Sequence, residues 1–146
     1  MYKTILVPVD GSANSRRAVE AAAELAKCHQ ASIVLLHVIL DEPLPKELLR
    51  MIVRGEITES RMEILRDSAE IILQDAQEKL HEAGVTEDKC KYVMGDPAFK
   101  ILEYAENIGA DLIVIGHRGL GTQVSLLGSV ARKLVNITRV ACLIVV

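Results

Sequence analysis

Apolar residues along the chain fall into short, dense runs separated by stretches in which they recur every third or fourth position. Five runs have the β-branched character of strands: Thr4 to Val9, Ser32 to Ile39, Lys91 to Met94, Asp111 to Ile115 and Val140 to Val146. Two stretches, Ile33 to Leu36 and Leu112 to Ile115, are continuously apolar rather than alternating, which is the pattern of strands covered on both faces. Between the second and third runs, Met62, Leu65, Ala69, Ile72, Ala76, Leu80 and Ala83 keep helical spacing until Gly84 ends the pattern. A helix over Asn14 to His29 precedes them. Another has Asp96 as its cap and Pro97 in its first turn, runs through Ile101, Ala105 and Ile108, and stops at Gly109. A last helix covers Ser129 to Thr138. Strands that alternate with helices predict an α/β fold, a single-domain, open, parallel five-stranded sheet with helices on both faces. Asp41 to Thr58, which carries Pro43, Pro45 and Gly55, reads as a surface loop with a helical turn over Lys46 to Val53 and is the segment expected to move most.

Composition narrows the function classes. A chain of 146 residues, half of them hydrophobic, is one domain able to bury about 70% of its unfolded surface. Seventeen Lys and Arg against twenty Asp and Glu give a net charge of −3, so no nucleic-acid partner is indicated. The apolar runs fall far short of the roughly 20 residues of a membrane span. The opening Met1 to Lys3 leads straight into a strand without the pattern of a signal peptide, so no membrane insertion and a cytoplasmic location are expected. Cys28, Cys90 and Cys142 are widely spaced and read as reduced core thiols. His29, His37, His81 and His117 lack the spacing of a helical metal site.

In open α/β sheets, ligands settle at the carboxyl ends of strands where the winding reverses. Two strand ends stand out here. The first reads Val7-Pro-Val-Asp-Gly-Ser12, a carboxylate and a flexible turn directly before a helix. The fourth leads through Ile115, Gly116, His117, Arg118, Gly119, Leu120, Gly121 and Thr122, and Gly128-Ser129 then opens the final helix. Clustered glycines before a helix start suit close approach of backbone N–H groups to an anion, and phosphate is the natural guest. After Asp111 the chain carries Arg118, Arg132, Lys133 and Arg139 and no acidic side chain, which adds positive charge at that end. Asp10, at the facing strand end, is placed to bond ribose hydroxyls. Plainer readings exist for each residue. The glycines alone make a turn, Asp10 serves as a helix cap, Arg132 and Lys133 form a solvated face, and His117 is a loop residue with no readable catalytic partner.

At these residues the chain resembles the universal stress protein family along its whole length. The matching pieces are Ile5 to Ser12, His37-Val38, Gly95-Asp96-Pro97, Asp111 to Gly116 and Gly128-Ser129-Val130. The ATP-binding branch of that family carries G-x-x-G, nine residues, then G-[ST]. Gly116-His-Arg-Gly119 and Gly128-Ser129 match its ends, with eight residues between them. The resemblance implies that Pro8, Val9, Asp10 and Val38 face adenine and ribose. It likewise implies that Gly116, His117, Arg118, Gly119, Gly128, Ser129 and Val130 cradle the phosphates of ATP, ADP or AMP. It implies strand order 3-2-1-4-5, a Rossmann-like arrangement, and a homodimer. The apolar terminal strand Cys142 to Val146, with no helix after it, invites pairing with a second copy on its own account.

The function expected is that of a nucleotide-binding stress-response regulator or switch with at most slow hydrolysis and no catalytic residue. Strong phosphoryl transfer needs a positioned base and a carboxylate-held metal, and Asp10 is the lone carboxylate available to neighbour Mg²⁺. A pure interaction module of the same fold, meeting an unidentified protein partner, is the second reading, and the shorter loop favours it. An ATP pyrophosphatase is a third, although Asp10-Gly-Ser-Ala-Asn-Ser15 lacks the double glycine and internal aspartate of its phosphate loop. A flavodoxin-like electron carrier is disfavoured, because none of Tyr2, Tyr92, Tyr104 and Phe99 lies in the glycine loop.

Overall fold

Strand β1, Thr4–Pro8, lies at the centre of a five-stranded sheet in a computed structural model that describes residues 1–40, 42–118 and 127–146. Its neighbours are β2, Ser32–Ile39, and β4, Leu112–Gly116, with β3, Asp88–Met94, and β5, Ala141–Val145, at the edges. Every pairing is parallel, and the order is β3-β2-β1-β4-β5, as the resemblance implied. Helices α1, Ala13–His29, and α3, Arg61–Glu82, cover one face. Helices α4, Pro97–Ile108, and α5, Ser129–Ile137, cover the other. Helix α2, Lys46–Val53, stands where the short helical turn was expected and buries no residue fully.

The two cores follow from strand geometry, since successive side chains point to opposite faces. Ile5, Val7, Ile33 and Leu35 pack with Ala18, Ala22 and Leu80 beneath α1 and α3. Leu6, Val34, Leu36 and Ile113 pack with Ile101, Ala105 and Leu134 beneath α4 and α5. Each large aliphatic side chain withdrawn from water in this way contributes about 1.5–3 kcal/mol. Small residues on α1, namely Ala18, Ala22, Ala23 and Ala26, let that helix lie close on the sheet. The helices to one side connect β1, β2 and β3, and those to the other connect β4 and β5, so the winding reverses between β1 and β4. That reversal opens a crevice at their carboxyl ends.

Several expectations need correction. Cys28 and Cys90 are exposed and Cys142 is half-buried, so none is a core thiol. Their positions explain this: Cys28 lies on the outer side of α1, and the other two occupy edge strands. Burial still pushes the Cys142 thiol up to about 11. Strand β3 starts at Asp88, three residues before the predicted start, because Asp88, Lys89 and Lys91 interrupt the apolar pattern on an edge strand. The Asp88 carboxylate is nevertheless shielded, accepting from Gln77 Nε2 at 2.8 Å and meeting His81 Nε2 at 2.9 Å. These bonds tie α3 to the outermost strand. Among the described residues, no helix is long and apolar enough to cross a membrane.

Candidate functional site

A cleft of about 670 Å³ occupies the crevice beyond the ends of β1 and β4. One wall is the β1–α1 turn. Val9 N–H donates to the Leu36 carbonyl at 2.8 Å, and the chain then swings away from the sheet through Gly11 at φ +83°. The left-handed conformation there is the one glycine takes without strain. Ser12, not Asp10, caps α1: its hydroxyl accepts from Ser15 N–H at 3.1 Å. Asp10 instead braces the turn by accepting from Ser12 N–H on Oδ1 at 2.9 Å. Ser15 Oγ–H donates to the Ser12 carbonyl, so the two buried serines are bound within the turn and hold the carboxylate at the rim.

The opposite wall is built from the end of β4 and the start of α5. Gly116 lies so close to α1 that a Cβ there would sit 2.8 Å from the Asn14 carbonyl carbon. Its missing side chain is therefore required by packing at the strand–helix contact, independently of any ligand. His117 N–H donates to Val145 at 2.7 Å, and Gly128 N–H donates back to the His117 carbonyl at 2.8 Å, which returns the chain to the cleft. Helix α5 begins there with Gly128 as a cap that has no side chain, and its first turn carries no acidic residue. Arg132 Nη2 donates to the Leu127 carbonyl at 3.1 Å and so fixes the approach to the helix. Among the described residues no side chain caps α5, so its leading N–H groups form a positive helix end that lines the cleft.

The third wall is apolar. Val38 closes it from β2, Leu65 and Ile72 from α3, and Leu44 from the segment ahead of α2. That segment is tethered by Arg61, whose guanidinium donates to the Glu42 carbonyl. His37 Nδ1 lies 2.7 Å from the Val9 carbonyl; the carbonyl only accepts, so this ring nitrogen is the N–H donor.

Strand alternation places one more pair of polar groups in the cleft. The Leu36 carbonyl points toward β1, where it accepts from Val9, while the Ile39 carbonyl points toward β3, where it accepts from Gly95 N–H at 3.1 Å. Val38 therefore directs its own N–H and C=O toward β1. The β1–β2 register ends at Pro8 and Leu36, so Val38 presents both groups beyond the end of its neighbour strand.

The cleft brings together Pro8, Val9, Asp10 and Val38 from one half of the predicted site. From the other half it gathers Gly116, His117, Arg118, Gly128, Ser129 and Val130. Gly119, also anticipated there, lies outside the described residues, as does Gly121. Arg132 and Lys133 are exposed on α5, as the plainer reading held, with Lys133 paired to Asp96 Oδ2 at 3.2 Å and stacked over Phe99. Sequence reasoning did not assign His37, Ser12, Ser15, Leu65 or Ile72 to this site. His37 adjoins a named residue and was within reach of a motif argument. The α3 residues carry only a helix-core pattern, and nothing local says which part of that face overhangs the sheet.

Comparison with known proteins agrees with this fold. The model of the universal stress protein family matches residues 1–146. The universal stress protein YxiE of Bacillus subtilis (strain 168) is 38% identical over 149 residues, covering 99% of each chain. A universal stress protein solved in complex with cAMP superposes with a TM-score of 0.75 at 28% identity, covering 99% of this chain and 97% of that one. The universal stress protein from Archaeoglobus fulgidus, solved in complex with dAMP, has the same fold, with a TM-score of 0.72 at 22% identity and coverage of 99% and 98%. The chain belongs to the universal stress protein family.

Proposed function

We propose that the cleft binds an adenine nucleotide, with ATP as the physiological guest, and that the protein acts as a nucleotide-dependent regulator in a stress response. The observation that carries this reading is the convergence of three complementary features on one crevice. The α5 N-terminus, with no capping side chain among the described residues and no acid in its first turn, suits a phosphate chain. Asp10, with Oδ1 bound in the turn, offers Oδ2 to ribose hydroxyls. The N–H and C=O of Val38 match the acceptor and donor on the ring-nitrogen and amino edge of adenine, and Val9, Leu44 and Ile72 supply apolar cover for the base. Adenine nucleotides in two relatives, cAMP and dAMP, support the same ligand class.

Among the described residues two carboxylates, Asp10 and Glu42, line the cleft, fewer than the oxygen ligands a protein-held Mg²⁺ requires, so Mg²⁺ would arrive on the phosphates with Asp10 as a neighbour. Hydrolysis is slow at most in this reading, because among the described residues of the cleft no base is aligned for it. Residues 42–45 line the cleft and lead directly into α2, which makes the 41–58 segment the one that differs between loaded and empty forms. A cytoplasmic homodimer, joined through the outer edge of β5, completes the proposal.

Denaturing freshly purified protein and identifying released nucleotide by chromatography tests the central claim, followed by titration of the emptied protein with ATP and Mg²⁺. Stoichiometric adenine nucleotide or micromolar rebinding is expected. An empty protein indifferent to millimolar ATP would sink the reading in favour of a protein-binding module.

A further inference from the structure

We propose that His37 is a positioning residue that stops the β1–β2 ladder one rung short and thereby keeps the Val38 backbone available to a ligand. This inference rests on the nucleotide reading of the cleft and adds the device that sustains its base-recognition edge. In a parallel ladder, a residue donates to the residue before its partner and accepts from the residue after it. Leu36, partnered with Pro8, follows this rule and accepts from Val9 N–H. The next rung would be Val38 N–H to the Val9 carbonyl. Among the described residues no backbone bond makes that rung. The Val9 carbonyl instead accepts from His37 Nδ1–H at 2.7 Å, a short and well-formed bond.

The substitution of a side-chain donor for a backbone donor has a geometric consequence. Val9 is buried, and its carbonyl must find a partner. Were the ring absent, the nearest donor along the strand would be Val38 N–H, and β1 would zip one residue further along β2. The crevice would narrow where β1 leaves the sheet, and the donor that faces the adenine edge would be consumed internally. His37 satisfies the carbonyl from the side and leaves the two strands parted.

The experiment follows the Val38 amide in wild-type, His37→Ala, His37→Phe and His37→Asn proteins by hydrogen exchange, together with ATP titration of each. In nucleotide-free wild type the Val38 amide exchanges quickly, and ATP protects it. His37→Ala and His37→Phe protect that amide without ligand and weaken ATP about tenfold or more. His37→Asn, whose amide nitrogen can occupy the place of Nδ1, restores both behaviours. A Val38 amide that exchanges as in wild type after loss of the ring overturns the proposal, and so does an Asn variant that behaves like Ala. Should Ala fail to fold, Phe keeps the ring volume and removes only the donor. If wild type binds no nucleotide, the nucleotide reading falls, while exchange at Val38 in the unliganded variants still decides the role of His37.

Discussion

Gly116 and Asn14 face each other across the β4–α1 contact with no space for a side chain between them: the Asn14 carbonyl carbon lies 2.8 Å from where a Cβ on Gly116 would stand. Two of the atoms met, the Asn14 carbonyl carbon and oxygen, belong to the main chain of α1, and the third is the Asn14 Cβ, so none can rotate aside. Gly116→Ala is therefore expected to destabilise the fold by about 1–3 kcal/mol, the range for overpacked interiors. Because α1 starts at the cleft wall, nucleotide affinity should fall as well. Urea unfolding and ATP titration of the same preparation measure both, and an unchanged midpoint would show that the contact relaxes freely.

Ser129 stands at the first position of α5, where its hydroxyl adds to the leading N–H groups. A hydrogen bond to a charged phosphate is worth about 1.5–3 kcal/mol, so Ser129→Ala should weaken ATP roughly 10- to 100-fold. Calorimetric titration reads this directly, and equal affinities would remove Ser129 from the phosphate site.

Asp111 ties the start of the central strand to β4, accepting on Oδ2 from Lys3 N–H at 2.7 Å and Thr4 N–H at 2.9 Å. The Thr4 bond and then the Lys3 bond hold its carboxyl below the ordinary range. A depressed acid binds its proton less readily folded than unfolded. Its stabilisation is therefore full above the unfolded value of about 3.9 and is lost as pH falls through the lower folded value. Asp111→Asn should lower the urea midpoint near neutral pH, and the gap from wild type should shrink below about pH 4. A gap that stays constant across that window would place the contribution of Asp111 elsewhere.

The outer edge of β5 tests the proposed dimer. Val145 faces β4, where its carbonyl accepts from His117 N–H, so the backbone of Ile144 faces outward. Proline at that position removes an outward N–H and spares the ladder to β4. Ile144→Pro should convert a dimer into a folded monomer, seen by light scattering with an unchanged circular dichroism spectrum. A wild-type protein that is monomeric at micromolar concentration would rule out the edge as an interface.

Much of this architecture was legible in the sequence because burial imposes strong patterns. The continuous apolar runs of β2 and β4 announce strands covered twice over, and Asp96-Pro97 and Gly109 mark the ends of α4 so plainly that only the register needed confirmation. Strand β3 was read short because an edge strand accepts charge at Lys89 and Lys91 and loses its signature. At the cleft, the described residues of the strand-end motifs lie where the motifs imply, whereas Leu65 and Ile72 carry no such motif. Their placement depends on how α3 crosses the sheet, a relation between elements that no local window contains. Gly116 shows the opposite limit. Its presence in a glycine-rich pattern suggested an anion, but its geometry answers first to Asn14.

The strand order also dictates a schedule for biosynthesis. The strand made first occupies the middle of the sheet, and the bonds from Lys3 to Asp111 span 108 residues. At translation rates of about 5–20 residues per second, the β4-facing edge of β1 waits roughly 5–20 s for its partner to be made. Until then a nascent chain carries an open, strongly apolar strand edge, the kind of surface that recruits chaperones or other chains. A ribosome stalled before Leu112 would hold three of the five strands and lack Ile113, Ala131 and Leu134 from the second core, so premature termination ahead of β4 is expected to yield aggregates rather than a smaller working protein.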